Sequence, residues 1–213
     1  YALPEQAGQQ SYNFIEDYEI RFMIVFIVLV TLLILYIVYE NHTRNKELLK
    51  YAQTDALTGL YNKETTEQLT DELLSEDENK SHAFLILDVD CFKQINDIYG
   101  HAVGDIVLQK FWKLLKGTFR EGDILGRIGG DEFGVIMKNI QTKDIAMKKA
   151  GELLAKTQAY KIDELKGNNI SISIGISTAP QDGDCYMDLY KRADQALYQA
   201  KRSGKARVCN YFS

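Results

Sequence analysis

The sequence predicts an α+β domain, a two-layer α/β sandwich of split βαββαβ order, preceded by one transmembrane helix. Three observations lead there. Phe22 to Tyr39 is an apolar run of 18 residues without a charge. Residues 83–89 (AFLILDV) are almost wholly apolar over a strand's length, as a strand buried on both faces requires. After that strand, helical and strand periodicities follow one another in the order helix, strand, strand, helix, strand.

From the N-terminus, residues 1–20 are expected to be an extracytoplasmic remnant and 21–39 the membrane helix. At about 1.5 Å per residue, the uncharged run reaches about 27 Å, close to a bilayer's hydrocarbon thickness. No basic n-region or small-residue cleavage site marks it as a signal peptide. Residues 1–20 hold Glu5, Glu16, Asp17 and Glu19 but no Lys or Arg, whereas Arg44, Lys46 and Lys50 follow the run. The positive-inside rule then places the C-terminal body in the cytoplasm, at the inner membrane, with Arg21 weakening the asymmetry by one charge. The chain starts at Tyr1, which is expected of a fragment with sequence missing upstream.

Residues 40–54 read as a short polar helix striped by Leu48, Tyr51 and Ala52: either a plain connector or a signalling helix that pairs with its copy. Residues 55–213 are the body. It opens with a helical region over 55–75, then the 83–89 strand. A helix at about 104–117 puts Val107, Leu108, Phe111, Leu114 and Leu115 on one face. Strands 123–128 and 133–138 form a hairpin around Gly129-Gly130. An amphipathic helix spans 142–158. Strand 170–178 alternates Ile170, Ile172, Ile174 and Ile176 with Ser171, Ser173, Gly175 and Ser177. The last helix, about 185–202, stops at Gly204. This is the ferredoxin-like order, in which the third strand lies between the first and second. The end of the first strand, at Asp88, then meets the turn at Asp131-Glu132.

Composition narrows the function. Net charge is -5, and the body after residue 39 is nearly neutral, with 24 basic and 26 acidic residues; a nucleic-acid partner is not expected. Apolar content of 46% excludes wholesale disorder. Cys91, Cys185 and Cys209 form no C-x-x-C pair, which excludes a zinc ribbon and a disulfide scaffold. Three carboxylates at one strand end repel each other unless a cation sits among them. A hard divalent ion such as Mg²⁺ or Mn²⁺ suits all-oxygen ligands. Taken alone, Gly129-Gly130-Asp131-Glu132 reads more simply as a solvated hairpin turn.

It does not stand alone. Arg127-Ile128-Gly129-Gly130-Asp131-Glu132-Phe133 resembles the signature of GGDEF-domain diguanylate cyclases. LILDVDCFKQINDIYGHAVGD (85–105), the opening Asp55-Ala56-Leu57-Thr58-Gly59-Leu60-Tyr61-Asn62 and the closing ADQALYQAKRSGKARV (193–208) are similar to that family's other motifs, in order. The resemblance covers about 53–208 and implies a nucleotidyl-cyclase or polymerase-palm type of domain. It implies condensation of two GTP into cyclic di-GMP with release of two pyrophosphates, at a homodimer interface with two metals per site. It further implies that Asp88, the Val89 carbonyl and Asp131 hold Mg²⁺ or Mn²⁺. Asp131, Glu132 and Lys93 would be catalytic. Asn96, His101 and Asp105 would receive guanine, while Phe92, Gly130, Lys201 and Lys205 would hold phosphates. Helix capping by Asn96 or Asp105, and dipole complementation by Lys201 and Lys205, are the plain alternatives.

Departures from the pattern are small. At the third letter Asp131 stands rather than Glu, a common option in the family that keeps the charge. Lys205 stands where Arg is frequent, which predicts a weaker grip on a triphosphate. Lys63 and Cys91 also depart. Asp90 alternates away from Asp88 and reads as structural. Arg120-Glu121-Gly122-Asp123 lies upstream of the signature, with five residues separating Asp123 from Gly129. As bare residues it is a turn with a surface ion pair; by resemblance it is an inhibitory site for the cyclic product. A non-enzymatic receptor for GTP or cyclic di-GMP is the competing reading.

Overall fold

The computed structural model describes the backbone of residues 4–76 and 80–211, with side chains described for 18–44, 52–76 and 80–211. The chain divides into two compact units, Tyr1–Ala52 and Gln53–Ser213. The first is one helix, α1 (Pro4–Gln53), 50 residues long. The expected break between the membrane run and a separate 40–54 helix is not there. No Pro follows Pro4 and no Gly follows Gly8 within it, so nothing interrupts the hydrogen-bond ladder. The stripe residues Leu48 and Tyr51 lie outside the described side chains. Tyr18–Arg44 is long and apolar enough to cross a membrane, and none of it is buried. Its hydroxyl at Thr31 is satisfied internally, donating to the Ile27 carbonyl at 2.7 Å.

The second unit opens with a tight turn instead of the helix expected from residue 55. Asp55 accepts from the Thr58 N–H (2.9 Å) and hydroxyl (2.7 Å), and Gly59 takes a φ of 71° that favours glycine. Only at Lys63 does α2 (Lys63–Glu76) begin, with Asn62 Oδ1 accepting the Thr65 N–H at its start. Then follow β1 (His82–Val89), α3 (Phe92–Tyr99), α4 (His101–Lys116), β2 (Ile124–Arg127), β3 (Glu132–Met137), α5 (Lys143–Ala159), β4 (Ile172–Ala179), α6 (Tyr186–Arg202) and β5 (Val208–Asn210). The sheet order is β2-β3-β1-β4-β5, all antiparallel except the β4–β5 pair. The α+β class and the βαββαβ order are therefore as predicted, with β3 between β1 and β2.

Both faces of the sheet are covered, which adds a layer to the expected two. Leu85, Leu87, Phe133 and Val135 pack against Val107, Leu108 and Phe111 of α4 and Ala146, Ala150 and Leu153 of α5. Phe84, Ile86 and Ile136, one residue out of phase, pack against Leu73 and Leu74 of α2 and Tyr186, Leu189, Ala193 and Leu197 of α6. The Ser/Gly face of β4 explains how α6 comes so near. A Cβ at Gly175 would collide with the Ala193 carbonyl and Leu197 N–H of that helix. Ser177 is satisfied by donating to the Leu189 carbonyl at 2.8 Å.

Candidate active site

The site is built where β1 ends. Asp88 pairs in register with Glu132, and the Val89 N–H donates to the Asp131 carbonyl at 3.2 Å. The strand end and the diglycine turn therefore touch. Asp88 is only 7% exposed. Burial pushes its carboxyl above the ordinary aspartate value; Lys201 opposes this, and the neighbouring Asp131 and Glu132 add to it. Lys201 Nζ lies 2.7 Å from Asp88 Oδ2. The two glycines differ in their work. A Cβ on Gly129 would sit 2.9 Å from Glu132 Oε2, so the Glu132 side chain folds over that glycine. Gly130 faces open space within 4 Å.

Two polar ties hold this corner; the sequence reading makes Asp90 structural without its partners and gives Arg127 no partner. Arg127 Nε and Nη2 donate to the Gly130 carbonyl at 3.2 and 2.7 Å, while Nη1 reaches Asp55 at 3.0 and 3.1 Å. One guanidinium thus links the turn after α1 to the diglycine turn. Both residues lay in recognised motifs, and their pairing across 72 positions is visible only in three dimensions. Asp90, also 7% exposed, accepts from Ser171 (2.5 Å) and Ser173 (2.7 Å) hydroxyls and the Ala206 N–H (3.1 Å). It fastens the segment after α6, where Gly204, Lys205 and Ala206 all take positive φ.

The residues expected to handle a nucleotide lie around α3 and α4. Cys91 precedes α3 with a φ of 58°, leaving the Phe92 and Lys93 N–H groups at a helix start without intrahelical acceptors. The Phe92 side chain packs against the core, which leaves only its backbone for the expected contact, and Lys93 is exposed. Asn96 lies against Gly104, whose missing side chain leaves room for it, and Asn96 Oδ1 is a buried acceptor with no partner among the described residues. α4 starts at His101, three residues before the expected start. Asp105 is therefore inside the helix and caps nothing; it and His101 are exposed one turn apart. Lys205 Nζ lies 3.0 Å from Cys91 Sγ, a contact that raises its pKa.

Arg120 and Asp123 stand apart from this corner, at the other end of the β2–β3 hairpin. The expected surface ion pair between them does not form. Asp123 instead accepts the Arg120 N–H (3.0 Å) and, with its second oxygen, the Lys138 N–H (3.1 Å). The exposed Arg120 guanidinium has no hydrogen bond or ion pair among the described residues.

This fold and this acid-lined strand end define a class, and comparison with known proteins places the chain in it. The family described as diguanylate cyclase, GGDEF domain, matches residues 52–207. The chain belongs to the GGDEF-domain family. It is 37% identical over 171 residues to diguanylate cyclase A of Treponema denticola, covering 77% of this chain and 46% of that protein. The chain thus spans under half the length of that curated relative. The solved GGDEF domain of TpbB from Pseudomonas aeruginosa aligns with a TM-score of 0.71 at 33% identity, over 75% of this chain and 94% of that one. The coiled coil and GGDEF domain of DgcB from Caulobacter crescentus, solved with c-di-GMP, aligns at 0.75 over 81% of this chain and 93% of that one; at 24% identity it supports the fold.

Proposed function

We propose that this chain is the anchored catalytic part of a diguanylate cyclase. The observation that carries the reading is the buried Asp88 carboxyl, held against Asp131 and Glu132 at the diglycine turn, with Lys201 beside it. The relative's name, diguanylate cyclase A, supports it. An all-oxygen donor set on a desolvated carboxylate cluster suits a hard divalent cation, and Asp88, the Val89 carbonyl and Asp131 would hold Mg²⁺ or Mn²⁺. When bound, such ions supply charge neutralisation and an acidified hydroxyl.

The chain's own groups do the rest. The N–H groups of Phe92 and Lys93, with the Lys93 ammonium, receive phosphate oxygens at the start of α3. Lys201 and Lys205 approach from the α6 side and hold the outer phosphates, with Gly130 leaving space for them. Asn96 and Asp105 take the guanine edge, since a carboxylate accepts from N1–H and N2–H₂ and an amide both donates and accepts; His101 flanks them. Asp131 accepts the proton of the attacking 3′-hydroxyl, and Glu132 keeps the turn in place over Gly129. Closing the ring takes two GTP and two such sites, hence a homodimer. Arg120, with the Asp123-stapled loop, binds the cyclic product. The apolar stretch of α1 anchors the chain in the inner membrane, with the body in the cytoplasm.

The test is incubation of the detergent-solubilised chain with GTP and Mg²⁺, followed by mass analysis. Cyclic di-GMP is expected from the parent, and none from Asp131→Ala at an unchanged unfolding temperature. Product from the variant at parental rate would overturn the reading. The receptor alternative predicts binding without turnover in both.

A further inference from the structure

We propose that Trp112 is the base-stacking wall of the Arg120 pocket, so that this second site grips its ligand by a guanine face as well as by charge. The inference rests on the product-site reading above. Arg120 does not sit on a flat surface. It lines an open cleft of about 820 Å³ shared with Tyr61, Trp112, Lys116 and Asp123, a volume in the range of small-ligand sites.

Trp112 is the chain's single tryptophan and stands at the border of the α4 core stripe. Phe111 and Leu115 are fully buried, whereas Trp112 is half-buried, packed against the core on one side and lining the cleft on the other. Its ring is accessible to a cation: Lys116 Nζ, one turn on, lies 5.8 Å from the ring centroid. Lys116 is exposed, and no carboxylate among the described residues pairs with it or with Arg120. The cleft therefore joins one aromatic face, two cationic heads held in no ion pair among the described residues and a loop stapled by Asp123, with the Glu121 carboxylate also in its lining. An aromatic face takes any base, two cations match the two phosphates of a cyclic dinucleotide, and the Arg120 fork adds hydrogen bonds to base edge or phosphate.

The lone tryptophan is its own reporter. Cyclic di-GMP is titrated into the solubilised chain while Trp112 emission is followed, and affinity is measured by calorimetry for the parent, Trp112→Phe, Trp112→Ala and Arg120→Ala. Saturable quenching in the parent is expected, with an affinity loss of about tenfold or more in Trp112→Ala and a loss of about threefold or less in Trp112→Phe. Quenching in the parent needs no variant, so a poorly folding Trp112→Ala does not blunt the test. Heat of binding without any change in emission, or Trp112→Ala binding like the parent while Arg120→Ala fails, overturns the stacking wall and leaves the product site standing. Absence of binding to the parent, or parental affinity in Arg120→Ala, overturns the product-site reading itself.

Discussion

Asp88 occupies a place where a carboxylate is hard to keep charged: buried, beside two further acids, with one lysine in reach. Desolvated carboxylates gathered in this way are characteristic of ion-binding sites, and under the proposed function a divalent cation would relieve the charge that Lys201 offsets only in part. Asp55 is the opposite case. Burial alone would raise its carboxyl, but the bonds from Thr58 and Arg127 outweigh it and hold the pKa below the ordinary 3.8. A depressed folded pKa means that the unfolded chain takes up the proton first. Its contribution to stability is therefore full above pH 3.8 and drains away as pH falls through the folded value. The unfolding temperature of Asp55→Asn is expected to lie below the parent's at neutral pH and to converge on it in acid. A constant gap across that titration would show that the pair contributes no charge-dependent stability. The Asp55–Arg127 tie was not legible in the sequence, because nothing in either motif says which carboxylate a guanidinium 72 residues away will choose.

Among the elements, strongly periodic segments were read within two or three residues, and short ones were not. α3 has eight residues, none of them fully buried; Phe92, Ile95, Ile98 and Tyr99 do fall at helical spacing, but over only about two turns that follow directly on a strand. β5 has three residues and exists because β4 offers it a parallel edge. The turn at Asp55–Leu60 passed for helix because Ala, Leu and Thr allow one; the Asp55 carboxylate bonding to Thr58 stops it. The alternation in β4 was plain, but the reason for its small face was not. That face admits α6, and Gly175 is where the helix backbone passes closest. Gly175→Ala is therefore expected to cost roughly 1–3 kcal/mol, since neither the Ala193 carbonyl nor the Leu197 N–H is a flexible neighbour. Denaturant unfolding would measure it, and a cost near zero would mean that α6 slides without penalty.

For the molecule as a whole, the acid cluster could be foreseen once the strand order was known, because βαββαβ topology brings the end of β1 to the hairpin turn. The layer formed by α2 and α6 could not, since each lies outside that six-element core. The apolar stretch of α1 is exposed along its described length and is long and apolar enough to cross a membrane. Leu32→Arg, near the middle of the stretch, is expected to oppose insertion by about 2.5–3.5 kcal/mol and to shift the chain out of the membrane pellet on fractionation. An unaltered distribution would count against the span. The β2–β3 hairpin has a different kind of consequence. Asp123 staples its open end and Gly130 lies at its closed end, so the two proposed sites ride on one ribbon whose side chains alternate at every step. Lengthening either arm by a single residue would turn every following group to the wrong layer. The spacing between the two proposed sites is therefore tied to the register of both arms, and a single inserted residue is absorbed only where the ribbon can bulge.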